Sequence, residues 1–287
     1  MTPIKKFACI ALLLPATVLF TGYATYAQHG GGGTSPTPQP PANMPEPSTA
    51  DTAGGAKNTN QPVSKEENKA YKQFHETPAS DADKKTQLAE DFIDKYPNSR
   101  YRQEAVGWLA TAYITKGQLD KLAAEGDKEA ALTPPNPASL AMIGSNLARG
   151  VVGSTPNPQQ RLDQAEQFCK KSLEALATAQ KPNDVSEERF TQAKDQTSSV
   201  AYSGLGTIAF RRGKFTDAIT NLDQSIKLGG GNDPVNYYLL GKANEATNNF
   251  DQALAAYTKC AATPSGMQKP CQEGVADVKA HGAQLPK

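Results

Sequence analysis

The stretch of this chain that most resembles a phosphate-binding site is the basic segment AFRRGKF, residues 209–215. It places three basic residues and Gly213 between two phenylalanines. That composition suits a phosphate grip, a nucleic-acid contact or a turn between two helices. A phosphate loop needs another glycine five positions before Gly213 and a hydroxyl residue after the lysine. Residue 208 is not a glycine and Phe215 follows the lysine, so the pattern favours a turn.

Other residue types that could do chemistry are scattered along the chain. His29, His75 and His281 are far apart, and no pair has the spacing of metal ligands or of a catalytic triad. Adjacent acids such as Glu187 and Glu188 fit a solvated helix face, and nothing selects a catalytic carboxylate pair. We therefore expect no catalytic residue, no metal site and no cofactor.

Three cysteines lie beyond residue 27. Cys260 and Cys271 flank a segment rich in turn-forming residues, and in an oxidising compartment a disulfide between them would join two predicted helices. The alternative is two buried free thiols. Cys169 lies beside Phe168 and Leu173 on the apolar side of its helix, which predicts a core residue rather than a nucleophile.

The N-terminal region predicts export. Residues 1–27 combine Lys5 and Lys6 with an apolar run over 8–20 and small residues before Gln28, as in a cleavable signal peptide. An uncleaved N-terminal anchor is the alternative. Residues 28–63 are rich in Pro, Gly, Ser and Thr, a composition typical of a disordered tether. We expect a periplasmic or secreted protein with no membrane span after signal cleavage.

The charge balance argues against some partners. Removal of residues 1–27 takes away two lysines and leaves 28 basic and 29 acidic side chains. Such a chain lacks the basic excess that is typical of nucleic-acid binding. We therefore expect no nucleic-acid partner.

Residues 64–287 have a helical period and contain an internal repeat. Apolar residues recur at three- and four-residue spacing, as on one face of an amphipathic helix. The segment 202–226 aligns with 237–261 at an offset of 35 residues. The alignment superposes Gly206 on Gly241, Phe215 on Phe250 and Ala218 on Ala253. Repeats of this length indicate stacked helix pairs.

This pattern resembles the tetratricopeptide repeat family. The third copy supplies Tyr202, Leu205, Gly206, Gly213, Phe215, Ala218 and Leu222, and the fourth supplies Tyr237, Leu240, Gly241, Phe250, Ala253, Tyr257 and Pro264. A weaker first copy covers residues 108–134. The second copy begins near residue 138 and is interrupted by GVVGSTPNPQQ (150–160), with about nine extra residues before Ala165.

The resemblance implies an all-α fold over residues 64–287. It would be a right-handed superhelix of four to five stacked antiparallel helix pairs, closed by a C-terminal capping helix. We expect an additional helix pair before the first copy. The segment 181–199 should lengthen the first helix of the third copy backwards.

The resemblance also implies a concave groove, lined by the first helix of each pair, that binds a protein or peptide. By register its candidate residues are Ser145, Arg149, Thr207, Phe210, Arg211, Tyr238, Lys242 and Glu245. Ordinary solvated surface is the alternative for each of them. The Lys and Asn pattern of relatives that clamp a C-terminal carboxylate is absent.

Three functions are compatible with these observations. The first is an exported, non-enzymatic scaffold in the bacterial cell envelope, because KYPNSRY (95–101) is similar to a motif of envelope proteins of this family. The second is an envelope enzyme or glycan-binding protein that uses the 150–160 insertion. The third is a purely structural spacer.

Overall fold

The computed structural model describes residues 63–183 and 185–284. The predicted signal peptide (1–27) and nearly all of the predicted tether (28–63) lie outside the described residues. Within the described ranges the chain forms eleven α-helices and no strand. The all-α prediction is therefore confirmed.

The helices follow one another with short connections. They are α1 (Lys65–Glu76), α2 (Ala82–Lys95), α3 (Arg102–Thr115), α4 (Leu119–Ala131), α5 (Pro137–Gly150), α6 (Pro158–Thr178), α7 (Glu187–Arg211), α8 (Phe215–Leu228), α9 (Pro234–Ala246), α10 (Phe250–Ala262) and α11 (Gln268–Ala280). Each odd-numbered helix up to α9 packs against the helix that follows it, which makes five pairs. The first helices of neighbouring pairs also touch, since α3 contacts α5, α5 contacts α7 and α7 contacts α9.

Three of the pairs share the same turn. Gly117, Gly213 and Asn248 have φ angles of 65°, 71° and 61°. In each turn the next residue donates its N–H to a carbonyl five positions back, as in Gln118 to Tyr113, Lys214 to Ala209 and Asn249 to Asn244. Glycine and asparagine adopt this left-handed conformation at the lowest cost, so they end helices in this way.

The helix α11 ends in the same manner. Gly282 has a φ of 84°, and Ala283 donates to the Val278 carbonyl five positions back. Because α11 also packs against both α9 and α10, it occupies the position of a further first helix. The predicted capping helix is therefore a half-repeat in register with the others.

Glycines let the helices of a pair approach closely. A Cβ atom on Gly206 of α7 would lie 2.7 Å from Cγ of Leu222 on α8. On α5 and α7, a Cβ atom on Gly144 or Gly204 would lie 2.6 Å from the sulfur of Cys169. The Cys169 side chain therefore fits between three helices, and it is fully buried, as predicted for a core residue.

The third and fourth pairs are larger than the rest. The helix α6 begins at Pro158, inside the segment 150–160 that interrupts the repeat, because proline is well suited to the first turn of a helix. The helix α7 has 25 residues and is capped by Ser186, whose hydroxyl accepts a hydrogen bond from the Arg189 N–H. The predicted backward extension of this helix is confirmed.

The C-terminal half-repeat is covalently attached. Cys260 at the end of α10 forms a disulfide with Cys271 of α11, and their Cα atoms are 5.8 Å apart. Both sulfurs belong to fully buried residues. Because the bridge is shielded from solvent, its role in the fold is to hold α11 on the preceding pair.

Candidate partner-binding surface

The eight predicted groove residues lie on three first helices, α5, α7 and α9. The central helix α7 touches both of the others. The surface is therefore continuous across the third, fourth and fifth pairs. Its character depends on which of these side chains remain accessible after the helices pack.

Two of the predicted residues are interior. Ser145 is 5% exposed and Thr207 is 2% exposed. A Cβ atom on Gly204 would lie 3.0 Å from the Cα atom of Ser145, so α5 and α7 meet almost backbone to backbone. The Thr207 hydroxyl donates to the Ser203 carbonyl at 2.9 Å. Close packing of small residues removes both from the accessible lining that the sequence predicted.

Arg149 connects all three helices. From the end of α5, its Nη2 donates to the Ser203 hydroxyl on α7 at 2.9 Å and to the carboxylate of Asp233. Asp233 is the N-cap of α9, where its other oxygen accepts from the Val235 N–H at 2.9 Å. The Arg149 side chain is 34% exposed, so it can still meet a partner from one side.

A buried chain of hydrogen bonds supports this arginine. The Ser203 hydroxyl donates to Oδ1 of Asn236 at 2.6 Å, and Nδ2 of Asn236 donates to the Ser225 hydroxyl at 2.9 Å. Ser225 in turn donates to the Ser199 carbonyl at 2.8 Å. The chain links α7, α8 and α9, and a satisfied buried network of this kind holds its members rigidly.

Sequence reasoning missed most of this network. Ser199, Ser203 and Thr207 recur at four-residue spacing, which places them on one stripe of α7. That polar stripe on a helix with buried neighbours was the available signal. Nothing in the local sequence pairs Arg149 with Asp233, which is 84 residues away.

Arg211 and Phe210 end the helix α7. The Nη2 atom of Arg211 donates to the Arg149 carbonyl at 2.9 Å. Burial removes water from its guanidinium group and lowers the pKa of Arg211 from the ordinary value. Phe210 packs edge to face on Phe215, with ring centroids 5.6 Å apart, and it joins the same apolar cluster as Tyr238.

The neighbouring Arg212 does not extend into solvent. Its side chain is 18% exposed and forms ion pairs with Asp163 and Glu166 on α6. Lys214 is exposed, and Gly213 forms the turn described above. The basic segment is therefore a helix junction, with Arg211 facing α5 and Arg212 facing α6.

On α9, the remaining three predicted residues gather around Tyr257 of α10. The ring centroids of Tyr238 and Tyr257 are 6.1 Å apart, and Nζ of Lys242 lies 5.9 Å from the Tyr257 centroid. Oε2 of Glu245 accepts from the Tyr257 hydroxyl at 2.7 Å and pairs with Nζ of Lys242 at 3.1 Å. Burial and the Glu245 carboxylate raise the pKa of Tyr257, so the phenol stays protonated.

The candidate residues that stay accessible, Phe210, Tyr238, Arg149 and Lys242, form a partly apolar strip. Phe210 and Tyr238 are partly buried. Arg149 and Lys242 keep about a third of their side chains exposed. Apolar rings next to fixed cationic groups suit recognition of a peptide or protein.

The described residues offer little for catalysis or metal binding. Between residues 63 and 284, Asp184 excepted, no group of three or more His, Cys, Asp or Glu side chains could hold a metal ion. Burial raises the pKa of Cys169 to about 12, which leaves its thiol protonated and a poor nucleophile.

None of the eleven described helices has both the length and the apolar character that a bilayer crossing requires.

Comparison with known proteins adds one match. The family model of the tetratricopeptide repeat matches residues 235–262. That range covers all of α10 and α9 except its first residue. No curated protein matches the chain.

Proposed function

We propose that the chain is a non-enzymatic scaffold for a protein or peptide partner, as its match to the tetratricopeptide repeat over residues 235–262 favours. The partner would lie across α5, α7 and α9. The observation that carries this proposal is the strip of accessible Phe210, Tyr238, Arg149 and Lys242 on helices that contact one another. The family match supports protein binding in general.

The strip is prepared for binding by its supporting contacts. Arg149 is oriented by Ser203 and Asp233, and Lys242 is oriented by Glu245 and Tyr257. Side chains that are already fixed lose little conformational entropy when a partner arrives. Aromatic and arginine side chains in such settings contribute most of the free energy at protein interfaces.

We place the scaffold in the bacterial cell envelope, either periplasmic or secreted. Support comes from the signal-like residues 1–27, from KYPNSRY (95–101), and from the disulfide between Cys260 and Cys271, which is typical of oxidising compartments. N-terminal sequencing of the protein from an osmotic-shock fraction tests this. A mature start at Gln28 is expected, and recovery of the intact N-terminus from the cytosol would contradict it.

The insertion offers less support for an enzyme. Residues 150–160 contain no titratable side chain, so they supply no general acid or base. In the structure, residues 151–157 form a loop in which the Val152 N–H donates to the Thr155 hydroxyl at 2.8 Å. These contacts fit a closed loop between α5 and α6 rather than a reactive site.

Cross-linking in cells followed by mass spectrometry tests the scaffold. One protein partner should be captured specifically, and purified partner should bind Tyr238→Ala and Lys242→Glu at least about tenfold more weakly, as expected for contacts near the centre of an interface. Lys227→Glu is the matched control, because Lys227 is exposed on the second helix α8. Equal binding by all variants would refute the surface, and capture of no partner would refute the scaffold in favour of a spacer.

A further inference from the structure

A buried ionic cluster joins the first two helix pairs. Arg102 of α3 is 5% exposed and lies between two glutamates of α4. Its Nη2 donates to Oε1 of Glu125 at 2.8 Å, its Nε donates to Glu129, and its Nη1 donates to the Ile93 carbonyl at 2.9 Å. The single guanidinium therefore connects α2, α3 and α4.

The charges around Arg102 do not balance. Lys128 brings a second cation, since its Nζ lies 3.5 Å from Oε2 of Glu125, but the same Nζ is 2.8 Å from Asp94 of α2. Lys128 and Asp94 are both more than half exposed, so the buried part of the cluster holds one guanidinium and two carboxylates. One negative charge is in excess, and Glu125 and Glu129 are only 4% and 0% exposed. An excess buried charge is costly unless it is neutralised.

The other polar groups near the cluster are already engaged or carry no charge. Glu90 of α2 accepts hydrogen bonds from Lys121 of α4 and from the Tyr113 hydroxyl of α3. On α6, Nζ of Lys171 donates to the Ala130 carbonyl. The side chain that α5 contributes is Ser139, which is uncharged and fully buried.

Glu129 also has an unsatisfied oxygen. Its Oε2 and the Ser139 hydroxyl have no hydrogen-bond partner of normal geometry among the described residues, although the Ser139 hydroxyl is near enough to oppose the rise in the pKa of Glu129. A protonated carboxyl needs less compensation than a carboxylate in such a place. Burial raises the pKa of both glutamates, to about 7 for Glu125. Because the two groups share one arginine, a proton belongs to the pair rather than to either residue.

We propose that Glu125 and Glu129 together hold one proton, and that this proton controls the stability of the joint between α2, α3, α4 and α5. The folded joint binds the proton at a higher pH than the unfolded chain does. The free energy of unfolding therefore increases as the pH falls from the alkaline side through the folded-state pKa of the pair. It decreases again when the pH is raised back through that pKa. The joint acts as a pH-responsive element at the N-terminal end of the helix pairs.

Urea unfolding at pH 8 and pH 6 tests the proposal. Trp108, the single tryptophan of the chain, lies on α3 and reports on this joint by fluorescence. Uptake of one proton lowers the unfolding equilibrium constant about tenfold between these two values. Glu125→Gln and Glu129→Gln should each abolish that change, because one carboxylate then remains for one arginine. His29, His75 and His281 are present in every variant, so differences between the variants report on the cluster alone.

Glu90→Gln is the matched control. Glu90 lies on α2 beside the cluster and is paired with Lys121, so this variant should keep the tenfold change. The same pH dependence in Glu125→Gln, Glu129→Gln and the wild type would overturn the proposal.

A second measurement covers the case in which the glutamine variants do not fold. Infrared difference spectra of the wild-type chain should show the C=O stretch of a buried protonated carboxyl at pH 6. That band should disappear when the pH is raised above about 9, where both groups are ionised. If no such band is present at pH 6, the cluster holds no proton.

Discussion

The guanidinium of Arg149, at the end of α5, binds the carboxylate of Asp233, which is the N-cap of α9. The two residues are 84 positions apart in the chain. The pair reaches past α7, whose Ser203 shares the same guanidinium nitrogen. One acidic side chain therefore starts a helix and fixes a predicted partner contact. Local helix formation and the candidate surface are coupled through it.

Replacement of Asp233 should show both roles. Asp233→Ala removes the cap of α9 and the ion pair, and should lower the free energy of unfolding by about 1–2 kcal/mol. Asp233→Asn keeps a capping oxygen and should cost roughly half of that. Chemical denaturation measures both. Asp217→Ala, in the exposed first turn of α8, is the control, and an equal loss there would contradict the assignment.

The disulfide should be a major source of C-terminal stability. In the chain-entropy model, closing the short loop between Cys260 and Cys271 contributes about 3 kcal/mol. Cys260→Ala/Cys271→Ala should therefore unfold at lower urea concentration than the wild type. The wild type should resist reductant while folded because both sulfurs are buried. Denatured, unreduced protein that labels at Cys169, Cys260 and Cys271 alike would exclude the bridge.

The close approach at Gly241 should not tolerate a side chain. A Cβ atom there would lie 2.5 Å from Cε1 of Tyr257, and a Cβ atom on Gly274 of α11 would lie 2.8 Å from the same ring. Gly241→Ala should destabilise the chain by about 1–3 kcal/mol, as overpacked cores do. Thermal unfolding gives the value. Gly266→Ala, where a Cβ atom would meet nothing within 4 Å, should leave the unfolding temperature unchanged.

The ion pairs of Arg212 should stabilise the fold at neutral pH. Hydrogen bonds from Arg212 and Lys170 lower the pKa of Glu166. A lowered carboxyl pKa contributes stability above the unfolded pKa, and that stability is lost as the pH falls through the folded value. Arg212→Met should therefore cost about 1 kcal/mol at pH 7 and almost nothing near pH 3. Lys214→Met, at an exposed position, should cost nothing at either pH.

Sequence reasoning was most successful where the determinants are local. The repeat register predicted the helix pairs, the backward extension of α7 and the turn at Gly213, because each depends on residues within one or two turns. Asp233 stands directly before Pro234, an order typical of a helix start, and its side chain does cap α9. These features follow from helical periodicity and turn chemistry, which are legible in a single sequence.

It was least successful where distant helices meet. Ser145 and Thr207 have the register of groove residues but are buried, because α5 and α7 approach too closely to leave them open. The local sequence around Arg212 does not reveal its ion pair with Glu166, which lies on the distant helix α6. Such outcomes depend on interhelical distances, and no local pattern encodes those distances.

The link between Arg149 and Asp233 also affects how the array transmits force. In most helical-repeat proteins each unit contacts only its immediate neighbours, so the units can unfold one at a time. Here the third and fifth pairs are connected directly across the fourth by this ion pair. Tension applied along the chain is shared among these three pairs, and they are expected to yield together as one mechanical block.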